Sequence, residues 1–234
     1  GLINKIAAGE VVERPASVVK ELMENSIDAG ATSITVEIAE GGTSVIKITD
    51  NGKGIPKDEI RTAFMRHATS KIDSFEDLEN VLTLGFRGEA LSSIASVAQV
   101  EMLTRTENDS MGTRIVINGG VVDREEECAA NVGTVFYVKN IFFNTPARRK
   151  FLKKPATEGS YISEIVNRIA LGHPNIAIKY INNGNIVLQT IGDGNVKNSL
   201  FYIYGKDIAS KMLNLESEKE GYILKGLVGK PELS

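Results

Sequence analysis

The 234 residues are 42% hydrophobic and 24% charged with a formal net charge of −3. That is the balance of an ordinary globular protein, long enough for one large domain or one and a half and for burial of roughly 70% of its unfolded surface. The single cysteine, Cys128, excludes an internal disulfide, and with only His67 and His173 beside it no zinc-type ligand set can be assembled. No apolar run approaches the ~20 residues of a membrane span and no signal peptide is visible, so a cytoplasmic location is expected. The net charge argues against a uniformly basic nucleic-acid binder but leaves room for a local basic surface.

The chain alternates helices and strands. Residues 11–27 are predicted helical, with Pro15 favouring a boundary near that point. Val18, Val19, Leu22, Met23 and Ile27 form an apolar stripe on it, and the other side carries Glu21, Asn25 and Asp28 at i, i+4 and i+7. A carboxylate can take a proton from water and an amide oxygen can ligate a hard cation, so this polar face suits a metal-nucleotide site. A solvated helix face has the same pattern. Residues 33–39 alternate, with Ile34, Val36 and Ile38 on one side, and predict a strand; 40–43 are a hairpin turn and 44–49 the partner strand. DNGKGI, opening at Asp50, read in isolation is a plain β-turn.

Helices are predicted over 57–66, 75–82 and 88–96, and strands over 99–105, 112–118 and 133–139. Residues 123–127, DREEE, form an acidic run that offsets a basic cluster of Arg148, Arg149, Lys150, Lys153 and Lys154. That cluster reads either as a phosphate-facing surface or as a solvated helix start and loop. An amphipathic helix over 157–171 precedes a hairpin of 177–181 and 185–190 around Asn182-Asn183-Gly184. The sum is an α+β protein: a two-layer α/β sandwich with one mixed, largely antiparallel sheet covered by helices on one face. The Gly- and Asn-rich residues 191–195 mark the expected domain boundary, with 1–190 the first domain and 191–234 a linker and the beginning of a second α/β domain.

Five motifs occur together and in order: IAAGEVVERPASVVKELMENSIDAGA at 6–31, DNGKGI at 50–55, RHATSKI at 66–72, GFRGEAL at 85–91 and FFNTPARRKFL at 142–152. Over about residues 6–171 the chain resembles the N-terminal ATPase region of the MutL family of DNA mismatch-repair proteins, in wording closest to bacterial members. That family shares its superfamily with DNA gyrase B, the ATP-dependent heat-shock chaperones and histidine kinases. The resemblance implies an α/β sandwich that binds ATP with Mg²⁺ in the first domain. Glu21 matches the general base, where a carboxylate aimed at a water in line with the γ-phosphate is typically worth ~10²–10⁴ in rate. Asn25 matches the magnesium ligand, one amide sufficing because Mg²⁺ keeps several waters and the phosphates.

Asp50 matches the adenine reader. A buried carboxylate accepting from the exocyclic amine makes a charge-assisted bond, and guanine presents an oxygen at that edge, which the carboxylate repels. Gly52 and Gly54 then allow close backbone approach to the base. Thr69, Ser70 and Lys71 match a lid over the phosphates, for which hydroxyls and an ammonium are apt partners, and the glycine density over 51–88 fits a lid that must order and release. Gly85, Phe86, Arg87 and Gly88 open a helix whose free N–H groups form an anion site. GFRG is not GxxxxGK[ST], so a P-loop fold is excluded. Thr134, after Gly133, matches the hydroxyl near the adenine end.

The resemblance further implies that ATP brings two copies of the full-length protein together, that DNA is bound weakly and salt-dependently, and that a MutS-type mismatch sensor is a partner. The endonuclease of some relatives lies in a separate C-terminal domain, so no nuclease activity is expected of these residues. Two readings follow. In one, the chain is a slow Mg²⁺-dependent ATPase that switches conformation in mismatch repair. In the other, it is a nucleotide- and DNA-binding interaction module with little or no hydrolysis. The second arises because the sequence opens already inside the family's first helix region and carries only the opening of the second domain, whose lysine reaches the γ-phosphate in the family.

Overall fold

The computed structural model describes residues 12–65 and 90–231. Helix α1 (Pro15–Asp28) begins with Pro15 in its first turn, where the missing N–H costs nothing because that donor has no intrahelical partner. Strands β1 (Ser33–Ala39) and β2 (Val45–Asp50) follow, joined by a 3-10 turn at Glu40–Gly42. They pair antiparallel, with Ile34 opposite Asp50 and Ala39 opposite Val45.

After a short helix α2 (Ile60–Ala63), helix α3 (Ala90–Val97) leads into β3 (Gln99–Arg105), β4 (Gly112–Asn118), β5 (Val121–Cys128) and β6 (Gly133–Lys139). Helices α4 (Pro146–Phe151) and α5 (Pro155–Gly172) cross to β7 (Ala177–Asn182) and β8 (Asn185–Gln189). The eight strands form one sheet in the order β5-β4-β3-β6-β2-β1-β7-β8. Only β1 and β7 run parallel, and α5 supplies the long return that a parallel pair requires. The expected mixed, largely antiparallel sheet is thus present.

Alternation decides the layers. Ile34, Val36, Ile46, Ile48, Met102, Ile115 and Phe136 point to one face and are buried there under α1, α3 and α5. The other face carries a row of charge. Lys47 Nζ lies 2.7 Å from Glu37, and Arg114 reaches Glu101 and Glu126 at 2.7 Å each. Lys139 adds a contact to Glu101 at 3.4 Å. Helices therefore cover one face, as the periodicity requires.

Two elements differ from the sequence expectation. The helix expected over 57–66 is only Ile60–Ala63 within the described residues, because the stretch after Pro56 closes as turns. The helix expected over 75–82 lies outside the described residues. The acidic run is the edge strand β5, invisible to alternation because its side chains are mostly solvated on both sides. Its charges are partnered: Glu125 with Arg61 at 2.6 Å and Glu127 with Lys57 at 2.8 Å. Exposed pairs of this kind contribute ~0–1 kcal/mol each and serve mainly to keep an edge from pairing with another chain.

Beyond residue 191, α6 (Val196–Tyr204) and α7 (Lys206–Ser210) precede a separate two-stranded sheet of β9 (Met212–Lys219) and β10 (Tyr222–Gly229).

Candidate functional site

The end of β2, the start of β6, the end of β3 and the C-terminal half of α1 converge on Asp50. Its side chain is 8% exposed. Ser26 Oγ on α1 donates to Oδ2 at 2.7 Å, and the Gly52 N–H donates to Oδ1 at 2.8 Å. Burial pushes the Asp50 carboxyl up from the ordinary aspartate range, and the bonds from the Ser26 hydroxyl, the Gly52 N–H and the Thr134 backbone pull it back. A carboxylate kept in so dry a place, with both oxygens oriented, is a specific acceptor for a ligand N–H.

The loop after Asp50 is fixed from two sides. Asn51 Oδ1 accepts from the backbone N–H groups of Thr32 and Ser33 at 2.9 Å each, and its Nδ2 donates to Thr32 Oγ1 at 2.8 Å. Thr104 on β3 is buried and accepts from the Ile55 N–H at 2.9 Å. Its hydroxyl also lies 3.1 Å from both the Gly133 carbonyl and Thr134 Oγ1. With its own proton on Gly133, Thr104 accepts the Thr134 hydroxyl proton, and the Thr134 oxygen keeps its acceptor capacity.

The glycines meet the demands of this convergence. A Cβ on Gly133, whose φ is +120°, would lie 2.1 Å from the Asp50 carbonyl oxygen. One on Gly54 would lie 2.2 Å from the Arg105 carbonyl oxygen, and one on Gly52 would lie 2.8 Å from Ala29 Cβ. The atoms that require glycine here belong to the protein's own backbone and to Ala29.

On α1, Glu21 and Asn25 are half-buried and one turn apart, roughly 140° and 100° around the helix from Ser26. Lys20 Nζ stands 3.9 Å from the Glu21 carboxylate and 3.3 Å from Glu24. Asp28 lies at the exposed end of the helix. The lid and phosphate candidates Thr69, Ser70, Lys71, Gly85, Phe86, Arg87 and Gly88 lie outside the described residues, as does His67. The structure therefore brings together Asp50, Gly52, Gly54 and Thr134. Beyond the sequence reading, it adds Ser26, Asn51 and Thr104. Each of the three left a faint signal: a serine in the apolar stripe of α1, an amide beside the reader aspartate, and a threonine at a buried position of a strand.

The basic cluster divides. Arg149, Lys150, Lys153 and Lys154 are exposed, beside an 83% exposed Phe151. Arg148 is half-buried, with its guanidinium 5.9 Å from the centroid of the buried Phe142 ring. The fully buried Glu158 ties the cluster to α5 by accepting from the Lys153 N–H at 2.9 Å. Among the described residues no group of three or more His, Cys, Asp or Glu could hold a metal ion. No described helix is long and apolar enough to cross a membrane.

Residues 13–132 match the family described as histidine kinase-, DNA gyrase B-, and HSP90-like ATPase. The chain is 56% identical to the DNA mismatch repair protein MutL of Agathobacter rectalis, over 99% of this chain and 36% of that protein. It is 51% identical to MutL of Caldanaerobacter subterraneus subsp. tengcongensis, over 97% of this chain and 39% of that one. The solved Aquifex aeolicus MutL ATPase domain complexed with ADP superposes with a TM-score of 0.75 at 30% identity, covering 94% of this chain and 78% of that one. The chain belongs to the histidine kinase-, DNA gyrase B- and HSP90-like ATPases, and within them to the MutL type. It spans little more than a third of the length of these curated relatives.

Gly133→Ala is expected to lower stability on the order of 3 kcal/mol, from backbone strain and the collision with Asp50 together. Urea unfolding of the variant beside the parent measures it.

Proposed function

We propose that this chain binds ATP through Asp50 and hydrolyses it slowly, as the nucleotide-driven switch of a mismatch-repair protein. The observation that carries the reading is the buried Asp50 carboxylate, oriented by Ser26 and Gly52 at the meeting of three strand ends and α1. Its free lone pairs would accept the exocyclic amine of adenine, with the Thr134 hydroxyl oxygen beside it. Glu21 would take a proton from water as that water's oxygen bonds the γ-phosphorus and the bond to the bridging oxygen breaks, giving ADP and phosphate. Asn25, a half-exposed amide, suits Mg²⁺ together with the nucleotide phosphates, and the ion would neutralise charge on those phosphates. Thr69, Ser70, Lys71, Gly85, Phe86, Arg87 and Gly88 would close over the phosphates.

The names of the relatives support a place in DNA mismatch repair; that reading takes DNA, a MutS-type sensor and a second copy of the chain as its partners. Arg149, Lys150, Lys153 and Lys154 are the exposed cations best placed for DNA phosphates, with Arg148 held against Phe142. We read residues 1–190 as the ATP-binding domain and 191–234 as a linker and the opening of a second α/β domain. The separate β9–β10 sheet, with exposed Leu213, Leu215, Ile223 and Leu224, supports that division. The reading as an interaction module with little hydrolysis has no observation of its own to favour it.

Two substitutions test the assignment. Asp50→Asn can keep the local bonds, its oxygen accepting from Gly52 and its amide donating to Ser26, so it is expected to fold at least as stably as the parent at neutral pH. Its affinity for ATP should drop at least tenfold, on the scale of a lost charge-assisted hydrogen bond. Unchanged ATP affinity by calorimetry would remove Asp50 from the site. Glu21→Ala should bind ATP as the parent does and release phosphate about 10²–10⁴ times more slowly. Equal turnover in a phosphate-release assay would take the base away from Glu21.

A further inference from the structure

The Ser26 hydroxyl stands between two acceptors: Asp50 Oδ2 at 2.7 Å and the Leu22 carbonyl, one turn back on α1, at 3.1 Å. A hydroxyl has one proton, so it serves one of them at a time. A helical serine bonded only to the carbonyl four residues back is commonplace and carries no function. Here the shorter bond goes to a carboxylate on another element, and Ser26 is 2% exposed, so water does not compete for the proton. With Asp50 ionised, the Ser26 proton belongs on Oδ2, where the bond is charge-assisted. With Asp50 protonated, the acid can donate to Ser26 Oγ while the hydroxyl turns to Leu22.

We propose that Ser26 is a positioning residue that holds Asp50 as a carboxylate for base recognition and thereby sets the acid limit of adenine-nucleotide binding. The inference rests on the reading of Asp50 as the adenine acceptor. It also implies a change of preference: the single proton of protonated Asp50 serves either Ser26 Oγ or a ligand oxygen, and where it faces the ligand the guanine oxygen accepts it, so selectivity for adenine narrows in acid.

Charged groups do not displace Ser26 from this role. The influences on the Asp50 carboxyl from the described residues are burial and the bonds from Ser26, Gly52 and Thr134. On α1, Lys20, Glu21, Glu24 and Asp28 stand roughly 120–160° around the helix from Ser26. On the strands, Glu37 pairs with Lys47, and Glu101 with Arg114 and Lys139, across the far face of the sheet. Arg105 donates to the carbonyls of Ala130 and Asp109 at 2.7 and 3.0 Å. Lys53, in the loop, is exposed.

The test is calorimetric titration of ADP and of GDP into the parent chain, Ser26→Ala, Ser26→Cys and Asp50→Asn between pH 5 and 8. Asp50→Asn supplies the reference, since whatever pH dependence it keeps belongs to groups other than Asp50, the nucleotide phosphates included. Relative to it, the parent should lose ADP affinity as pH falls, and Ser26→Ala should lose it about one to two pH units sooner, the ten- to hundredfold worth of a hydrogen bond to a charged group. Ser26→Cys, a weaker donor of similar shape, should fall between, and carries the comparison if the alanine variant does not fold. Acid limbs that coincide in the serine variants and the parent would overturn the role of Ser26 while leaving Asp50 in the site. So would a uniform loss of affinity at every pH, which is the mark of a structural serine. An Asp50→Asn variant with parental ADP affinity and acid limb would instead overturn the reading of Asp50, and the inference with it.

Discussion

The structure turns on one buried charge. Asp50 ends a central strand, is covered by α1, and is held by a hydroxyl from that helix and an N–H from its own loop. Burial raises its carboxyl above the ordinary aspartate range despite those bonds. The sign of the consequence is definite. A carboxyl whose folded value lies above its unfolded one costs stability while ionised, and the cost is relieved as pH falls through the folded value. At neutral pH ionised Asp50 thus carries a cost that its protonated form does not. A buried carboxylate that carries such a cost, at a convergence of strand ends, has the physical character of a binding-site group.

Much of the local architecture follows from that residue. Gly133 must be glycine because the Asp50 carbonyl lies where a Cβ would stand, and Gly54 because the Arg105 carbonyl does. Asn51 fastens the loop to the start of β1, and Thr104 fastens its far end to β6. The buried apolar stripe of α1 seats the helix on the sheet, and the Ser26–Asp50 bond ties it to the end of β2. Glu21 and Asn25, the residues proposed for water activation and magnesium, ride on the same helix as Ser26.

The sequence reveals what repeats and hides what converges. β1, β3, β4 and β6 are legible to the residue because each alternates against one buried face. β5 is not, since Glu125, Glu126 and Glu127 pair laterally with neighbours that periodicity does not see. Asp50, Gly52, Gly54 and Thr134 were legible through family motifs, where spacing alone offered a turn. Ser26 and Thr104 were not, because a hydroxyl at a buried position has meaning only once its partner is known, 24 residues away for Ser26. The motifs gave Gly52 and Gly54 a ligand to make room for, and the structure gives them protein atoms.

The central claim is that Asp50 reads an adenine amine. Titrating ATP and GTP separately into the unmodified chain with Mg²⁺, by calorimetry at neutral pH, tests it most directly. The account predicts saturable ATP binding with GTP weaker by at least tenfold, the difference between an accepted amine and a repelled oxygen. Equal affinities for the two nucleotides would contradict it.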